Sequence, residues 1–180
     1  MGQDKKKLAV IFPGAGYSND MPLLYYADLI YESKGYKCLR INYGGEGKSL
    51  SDSEKIKNEV LSQIENIDFS QYCDILFISK SLGTTFAGWL AERLSEKVRH
   101  IYLTPIQHTL QYIKGQDIQI VIAGTNDKYL DTSVLALHCK KEKIRLELID
   151  NADHSLEIHG NASESIDILK RIVELYQLYC

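Results

Sequence analysis

A serine hydroxyl, an imidazole and a carboxylate are the side chains that acyl transfer needs, and this sequence carries each at the end of an apolar run. Ser81 follows Asp74-Ile-Leu-Phe-Ile-Ser-Lys and precedes Leu-Gly-Thr-Thr-Phe-Ala-Gly-Trp-Leu. The apolar run without alternation reads as a strand covered on both faces, and Phe86, Leu90 and Leu94 then recur at helical spacing. A serine at such a junction is held in a strained backbone conformation that lifts its hydroxyl out of the sheet. The residues two before and two after must be small so that strand and helix can approach. Ser79 and Gly83 meet that requirement, although Ser79 stands where the usual pattern has glycine.

A serine hydroxyl is a weak nucleophile at neutral pH and needs a base to take its proton. In a parallel sheet, partners gather in the loops at the carboxyl ends of strands. Two such loops supply them here: Gly124-Thr-Asn-Asp127 and Asp150-Asn-Ala-Asp-His154-Ser. His154 is then the expected general base, and Asp127 the group that fixes its tautomer and stabilises the imidazolium. An unperturbed imidazole titrates near about 6.5, so the rate is expected to fall below that pH. Asp131 is the fallback acid and His159 the competing base. His100, His108 and His138 are expected in packed or solvated roles. The backbone N–H of Leu82, at a helix start, is one expected donor to a developing oxyanion. The other is expected from the turn Phe12-Pro-Gly-Ala15-Gly-Tyr17, with Ala15 preferred and Gly14 or Gly16 as alternatives. Tyr17, Tyr43 and Tyr129 fall in loops near the presumed pocket, although most of the 12 tyrosines must serve packing.

The elements that would position these groups are legible as βαβ repetition. Strand character appears at 7–12, 37–43, 74–79, 98–104, 118–123 and 144–149, and helical character at 22–34, 84–95, 130–139 and 161–178. A further helix is marked by Ile56, Val60, Ile64 and Ile67 on one face, with Ser51 and Glu54 as a capping box. Pro22 suits a first helical turn, Gly35 a C-terminal cap, and Asn161 with Glu164 another cap pair. The interval 105–117 promises no more than a short helix around 108–114. Right-handed crossovers then give an α/β three-layer sandwich, a six-stranded mostly parallel sheet with helices on both faces. No repeat, low-complexity tract or linker divides it, so one domain over residues 1–180 is expected.

Composition narrows the classes. A length of 180 residues suffices for a core without staples. The net charge of −3, with acids and bases interspersed, does not favour nucleic acid. Four scattered cysteines, Cys38, Cys73, Cys139 and Cys180, have neither metal-ligand spacing nor the density of a disulfide scaffold. No cofactor or metal is expected. No apolar run reaches membrane-span length, and the run at 8–12 is too short for a signal peptide, so a cytoplasmic protein is expected. One decoy is the turn Asn42-Tyr-Gly-Gly-Glu-Gly47-Lys48-Ser49, which imitates a phosphate-binding loop but has Asn42 where its first glycine belongs. Gly14-Ala-Gly16 is a weaker imitation of a dinucleotide turn, with Asn19 at the third glycine.

Taken together, the Pro-Gly-Ala-Gly turn, Ile-Asn-Tyr43-Gly-Gly-Glu-Gly, Ser79-Lys-Ser81-Leu-Gly83, Gly-Thr-Asn-Asp127 and Asp-His154-Ser resemble the α/β-hydrolase superfamily, in its chain order and over nearly the whole length. The resemblance implies a minimal α/β-hydrolase fold starting at the family's third strand, with no room for a lid after the sixth. Pro13, where many members have histidine, and Ser79 depart from the pattern without removing a reacting group. The function implied is a serine hydrolase acting through an acyl-enzyme on small carboxylic esters or thioesters, with amides less favoured. Two other classes stay open: a non-catalytic binding or scaffold protein of the same fold, with Ser81 serving only as a helix cap, and a nucleotide-binding protein built on Lys48.

Overall fold

A computed structural model describes residues 6–44 and 48–180. The chain runs β1 (Lys6–Phe12), α1 (Pro22–Ser33), β2 (Tyr36–Arg40), α2 (Ser53–Ile64), β3 (Tyr72–Lys80), α3 (Leu82–Ala91), β4 (Arg99–Leu103), β5 (Ile118–Gly124), α4 (Thr132–Glu142), β6 (Leu146–Ile149) and α5 (Ala162–Leu178). Short 3-10 turns lie at Leu50–Asp52, Phe69–Gln71 and Gln107–Tyr112. The strands form one sheet in the order β2-β1-β3-β4-β5-β6. Every pairing among them is parallel, so the sheet expected to be mostly parallel is wholly so among the described residues.

Strand alternation sends side chains into two cores. Leu8, Val10 and Phe12 of β1 pack with Ile56, Val60 and Ile64 of α2, Phe86 and Leu90 of α3, and Leu135 of α4. Ala9 and Ile11 face the other way, against Leu24, Ala27 and Tyr31 of α1 and Ile172 and Tyr176 of α5. Buried on both faces, the central strands need no polar side, and their continuous apolar runs follow from that. From β1 the chain first steps to one side, to β2, and then crosses back to β3 and beyond. The direction of winding therefore reverses between β1 and β3. Helices on either side diverge there and leave a crevice at the strands' carboxyl ends.

Several expected boundaries shift, each for a visible reason. β2 ends at Arg40 because its last partner on β1 is Ile11, after which Gln63 holds Asn42 by both main-chain groups, donating to its O at 2.7 Å and accepting from its N at 2.8 Å. Ile144 belongs to the close of α4, its N–H donating to Cys139 O at 2.8 Å after Lys143 turns left-handed at φ 58°, so β6 starts only at Leu146. α3 stops at Ala91, short of Ser95. The Ser51–Glu54 capping box does not form. Ser49 and Asp52 make one a turn earlier, Glu54 pairs instead with Lys57, and α2 begins at Ser53. Pro22 does open α1, Gly35 follows it at φ 82°, and Asn161 caps α5 by accepting from Glu164 N. The 105–117 interval holds the 3-10 turn, tied to α3 through Thr109 and the hydroxyls of Thr84 and Thr85. All four cysteines are free. Among the described residues no helix is long and apolar enough to cross a membrane.

Candidate active site

Ser81 sits between β3 and α3 at φ 53° and ψ −120°, a conformation that L-residues avoid. What holds it there is packing from both sides. Ser81 N–H donates to Leu103 O at 3.0 Å, and Ser79 is fully buried against β4. A β-carbon on Gly83 would come within 2.4 Å of Pro13 O and 2.6 Å of Phe12 O, so only glycine lets α3 start this close to the end of β1. The Ser81 side chain makes no capping bond to α3, which removes the helix-cap reading of this serine. Its hydroxyl is directed elsewhere.

That hydroxyl lies 2.7 Å from His154 Nε2, and His154 Nδ1 lies 2.7 Å from Asp127 Oδ2. With Nδ1–H donating to the carboxylate, Nε2 is left to accept from the serine. The Asp127 carboxylate is almost wholly buried, at 2% side-chain exposure, and its other oxygen accepts from Tyr129 N at 2.8 Å. The loops after β5 and β6 are stitched together: Asn126 N–H donates to Ala152 O at 2.9 Å, and Asn151 N–H to Thr125 Oγ1 at 2.8 Å. Gly124 is needed for that contact, since a β-carbon there would meet Ala152 O at 2.1 Å. The competing candidates fall away. Asp131 caps α4, accepting from Ser133 N at 2.8 Å, while His159 stands in the turn before α5. His138 bonds Ile113 O, and His100 is buried between Phe77 and Tyr102.

The turn after β1 closes the other side of the crevice. A β-carbon on Gly14 would lie 3.3 Å from Ser81 Cβ, so this turn runs directly beside the serine. Gly14 N–H is taken by Tyr17 O at 2.9 Å, which leaves Ala15 ahead of Gly14 as the amide available to a substrate oxygen. Leu82 N–H opens the first turn of α3, where a helix has no acceptor of its own to offer. The turn lines an open groove of about 690 Å³ with Tyr17, Asn19, Met21, Ile41, Tyr43 and Lys48 among its walls. Tyr17 and Tyr43 contribute little free surface to it. Both are nearly buried, Tyr17 with its hydroxyl accepting from Leu23 N and Tyr43 with its ring against Phe86. Tyr129 is the exposed one, its ring 4.3 Å from the His154 imidazole. Among the described residues no cluster of three or more His, Cys, Asp or Glu side chains could hold a metal. Of the phosphate-loop imitation, residues 45–47 lie outside the described residues, and Ser49 caps a 3-10 turn rather than entering α2.

One side chain at this rim escaped the sequence reading. Lys80, between the two serines, is 1% exposed, with Nζ 2.5 Å from Thr104 Oγ1 and 2.6 Å from His154 O. Its signal was present: a lysine ending an apolar strand covered on both faces has no solvent to reach.

No family model matches the chain, and no curated protein matches it. Solved structures do. An α/β serine hydrolase homologue from Coxiella burnetii superposes with a TM-score of 0.70 at 14% identity, over 99% of this chain and 86% of that one. Est1E from Butyrivibrio proteoclasticus, with ferulic acid bound, gives 0.69 at 14% identity, over 99% and 89%. An α/β serine hydrolase without a lid, from Xanthomonas campestris, gives 0.64 at 15% identity, over 99% and 85%. Sheet order, the reversal beside β1, and these superpositions agree that the chain has the α/β-hydrolase fold.

Proposed function

We propose that this protein is a serine hydrolase that forms an acyl-enzyme on Ser81 and releases it with water. The observation that carries the reading is the unbroken chain Ser81 Oγ, His154 Nε2, His154 Nδ1, Asp127 Oδ2, with 2.7 Å at each hydrogen bond. As Ser81 Oγ attacks a carbonyl carbon, its proton passes to His154 Nε2, and buried Asp127 steadies the imidazolium. The carbonyl oxygen takes up negative charge beside Leu82 N–H and Ala15 N–H. Collapse expels the leaving group with the proton from Nε2. Water then repeats the sequence on the acyl-serine and returns Ser81.

Small carboxylic esters or thioesters are the substrates that fit best. The groove beside the turn after β1 is open, so an acyl group there stays near water, which suits small or flexible groups better than long lipid chains. Est1E, similar in fold, binds ferulic acid, itself a small carboxylic acid. Four unpaired thiols suit a reducing compartment such as the cytoplasm, where we place the activity. The test is a fluorophosphonate probe followed by mapping of the modified residue. Labelling at Ser81, lost in Ser81→Ala, is the expected result. Labelling that persists in Ser81→Ala overturns Ser81 as the nucleophile, and no labelling of the native protein overturns the reading in favour of a binding role for the fold.

A further inference from the structure

A buried lysine at the centre of a strand end is costly. Taking an ammonium out of water carries a penalty that a methionine or leucine of similar volume would not incur. Lys80 nonetheless lies sealed beneath the rim, on the face of β3 that carries Leu76 and Ile78. Its contacts come from three further elements: the Thr104 hydroxyl past β4, the His154 carbonyl past β6, and the ring of Tyr17 past β1, 5.1 Å from Nζ. The loop it grips is one that needs holding. Asn151 and Leu156, on either side of His154, both sit at positive φ, 59° and 61°, as does Thr104 at 41°.

Consecutive residues at the junction of β3 and α3 thus reach one histidine at two different atoms. Ser81 Oγ meets its ring nitrogen at 2.7 Å, and Lys80 Nζ meets its main-chain oxygen at 2.6 Å. Resting on the hydrolase reading of Ser81, we propose that Lys80 is a positioning residue that clamps the His154 main chain within reach of Ser81 and couples its own charge to the proton balance of the His154–Asp127 pair.

The clamp and the coupling separate by chemistry. A neutral amine still has two N–H groups, enough for both Thr104 and His154, so the clamp survives deprotonation. The field of the ammonium does not. A cation here opposes a second positive charge on the imidazole and competes for the field of Asp127. The titratable groups acting on Nζ are Asp127 past β5, Asp153 past β6, and Tyr17, whose own ionisation burial pushes up to about 12, while His154 meets it through the main chain and is joined to it by way of Asp127. Burial pulls Lys80 down to about 7, with Asp127 and Asp153 pulling it back. Its charge therefore changes within the range in which a histidine base works.

Fluorophosphonate labelling rates from pH 5 to 9 test this, on native protein and on Lys80→Met, with circular dichroism to show that the variant is folded. The native rate is expected to climb through two ionisations. In the methionine variant the climb follows one, and the plateau falls about 10-fold or more as the loop loosens. A folded variant with the native plateau and the native pH profile overturns the proposal while leaving the hydrolase reading intact. Should the variant fail to fold, or the native protein fail to label, titration of the native protein by NMR decides. The His154 ring signals are expected to respond to the same transition as the Lys80 Cε signal, and a ring indifferent to it overturns the coupling.

Discussion

Lys80 at the carboxyl end of β3 and His100 at the amino end of β4 are two bases sealed in one sheet, and the fold treats them in opposite ways. Lys80 is hydrogen-bonded to two loops beside Ser81, those after β4 and β6, which hold Thr104, Asn151 and Leu156 at positive φ, as Ser81 itself is. His100 is simply packed, stacked on Tyr102 with Phe77 at its edge, and among the described residues its Nδ1 has no hydrogen-bond partner. Around the amino end, Lys143 ahead of β6 is the one left-handed non-glycine residue among those described, at φ 58°. Arg99 there forks onto both oxygens of Asp74 and reaches Tyr179 O. Four of the five positive-φ non-glycine residues described thus lie at the carboxyl end, where groups are aimed at the crevice, against one where the task is to close the core.

The contrast breaks most sharply at Asp127. Asp127→Asn is expected to lower fluorophosphonate labelling of Ser81 about 10³- to 10⁴-fold, because an amide can present a donor to Nδ1 and favour the wrong tautomer. The loop should persist, since the main-chain bonds of Asn126 and Asn151 are untouched. Labelling within tenfold of native would remove Asp127 from the proposed triad.

The two buried bases also predict two steps in stability against pH, read by urea unfolding. Burial holds His100 down to about 4 against an ordinary 6.5, so below 6.5 the unfolded chain binds a proton that the folded one refuses. Stability present above pH 6.5 is lost as pH falls toward 4, by about 3 kcal/mol. His100→Phe, which keeps an aromatic ring in the stack, should flatten that step. Lys80, held down to about 7 by burial, has its stability lost as pH falls toward 7 from the ordinary lysine range. Between about pH 7 and 8.5 native stability should therefore rise by up to about 1.4 kcal/mol per unit, and Lys80→Met should remove that slope. A native curve flat across both windows would show that neither base is buried as described. The smallest effect belongs to the carboxylate that competed with Asp127. Asp131→Ala, losing the cap on α4, should cost about 1 kcal/mol and leave labelling unchanged.

How much of this was legible before folding depended on the range of the interactions involved. The strand–serine–helix junction was readable because Ser79, Ser81 and Gly83 act within a few residues of one another. Its details were not: that Gly83 clears Pro13 O, or that the Ser81 hydroxyl makes no cap bond, depends on where β1 lies. Ser51-Asp-Ser-Glu54 and Ser49-Leu-Ser-Asp52 are overlapping local patterns, and the second is the one that closes as a capping box. Tyr17 and Tyr43 do line the groove, but their depth in the core, which sequence does not show, leaves each little exposed surface there.

What the amino-acid order determined alone was periodicity, hence six mostly parallel strands with helices between them, and the chain order in which a serine, an acid and a histidine follow strand ends. Local propensity and alternation carry that much. Only the tertiary structure brought Asp127 rather than Asp131 to His154, and only it showed what Lys80 binds, because both outcomes rest on contacts between loops that are distant in the chain. Which carboxylate meets His154, and which carbonyl meets Lys80, follows from how β3, β5 and β6 are ordered in the sheet and where each strand stops.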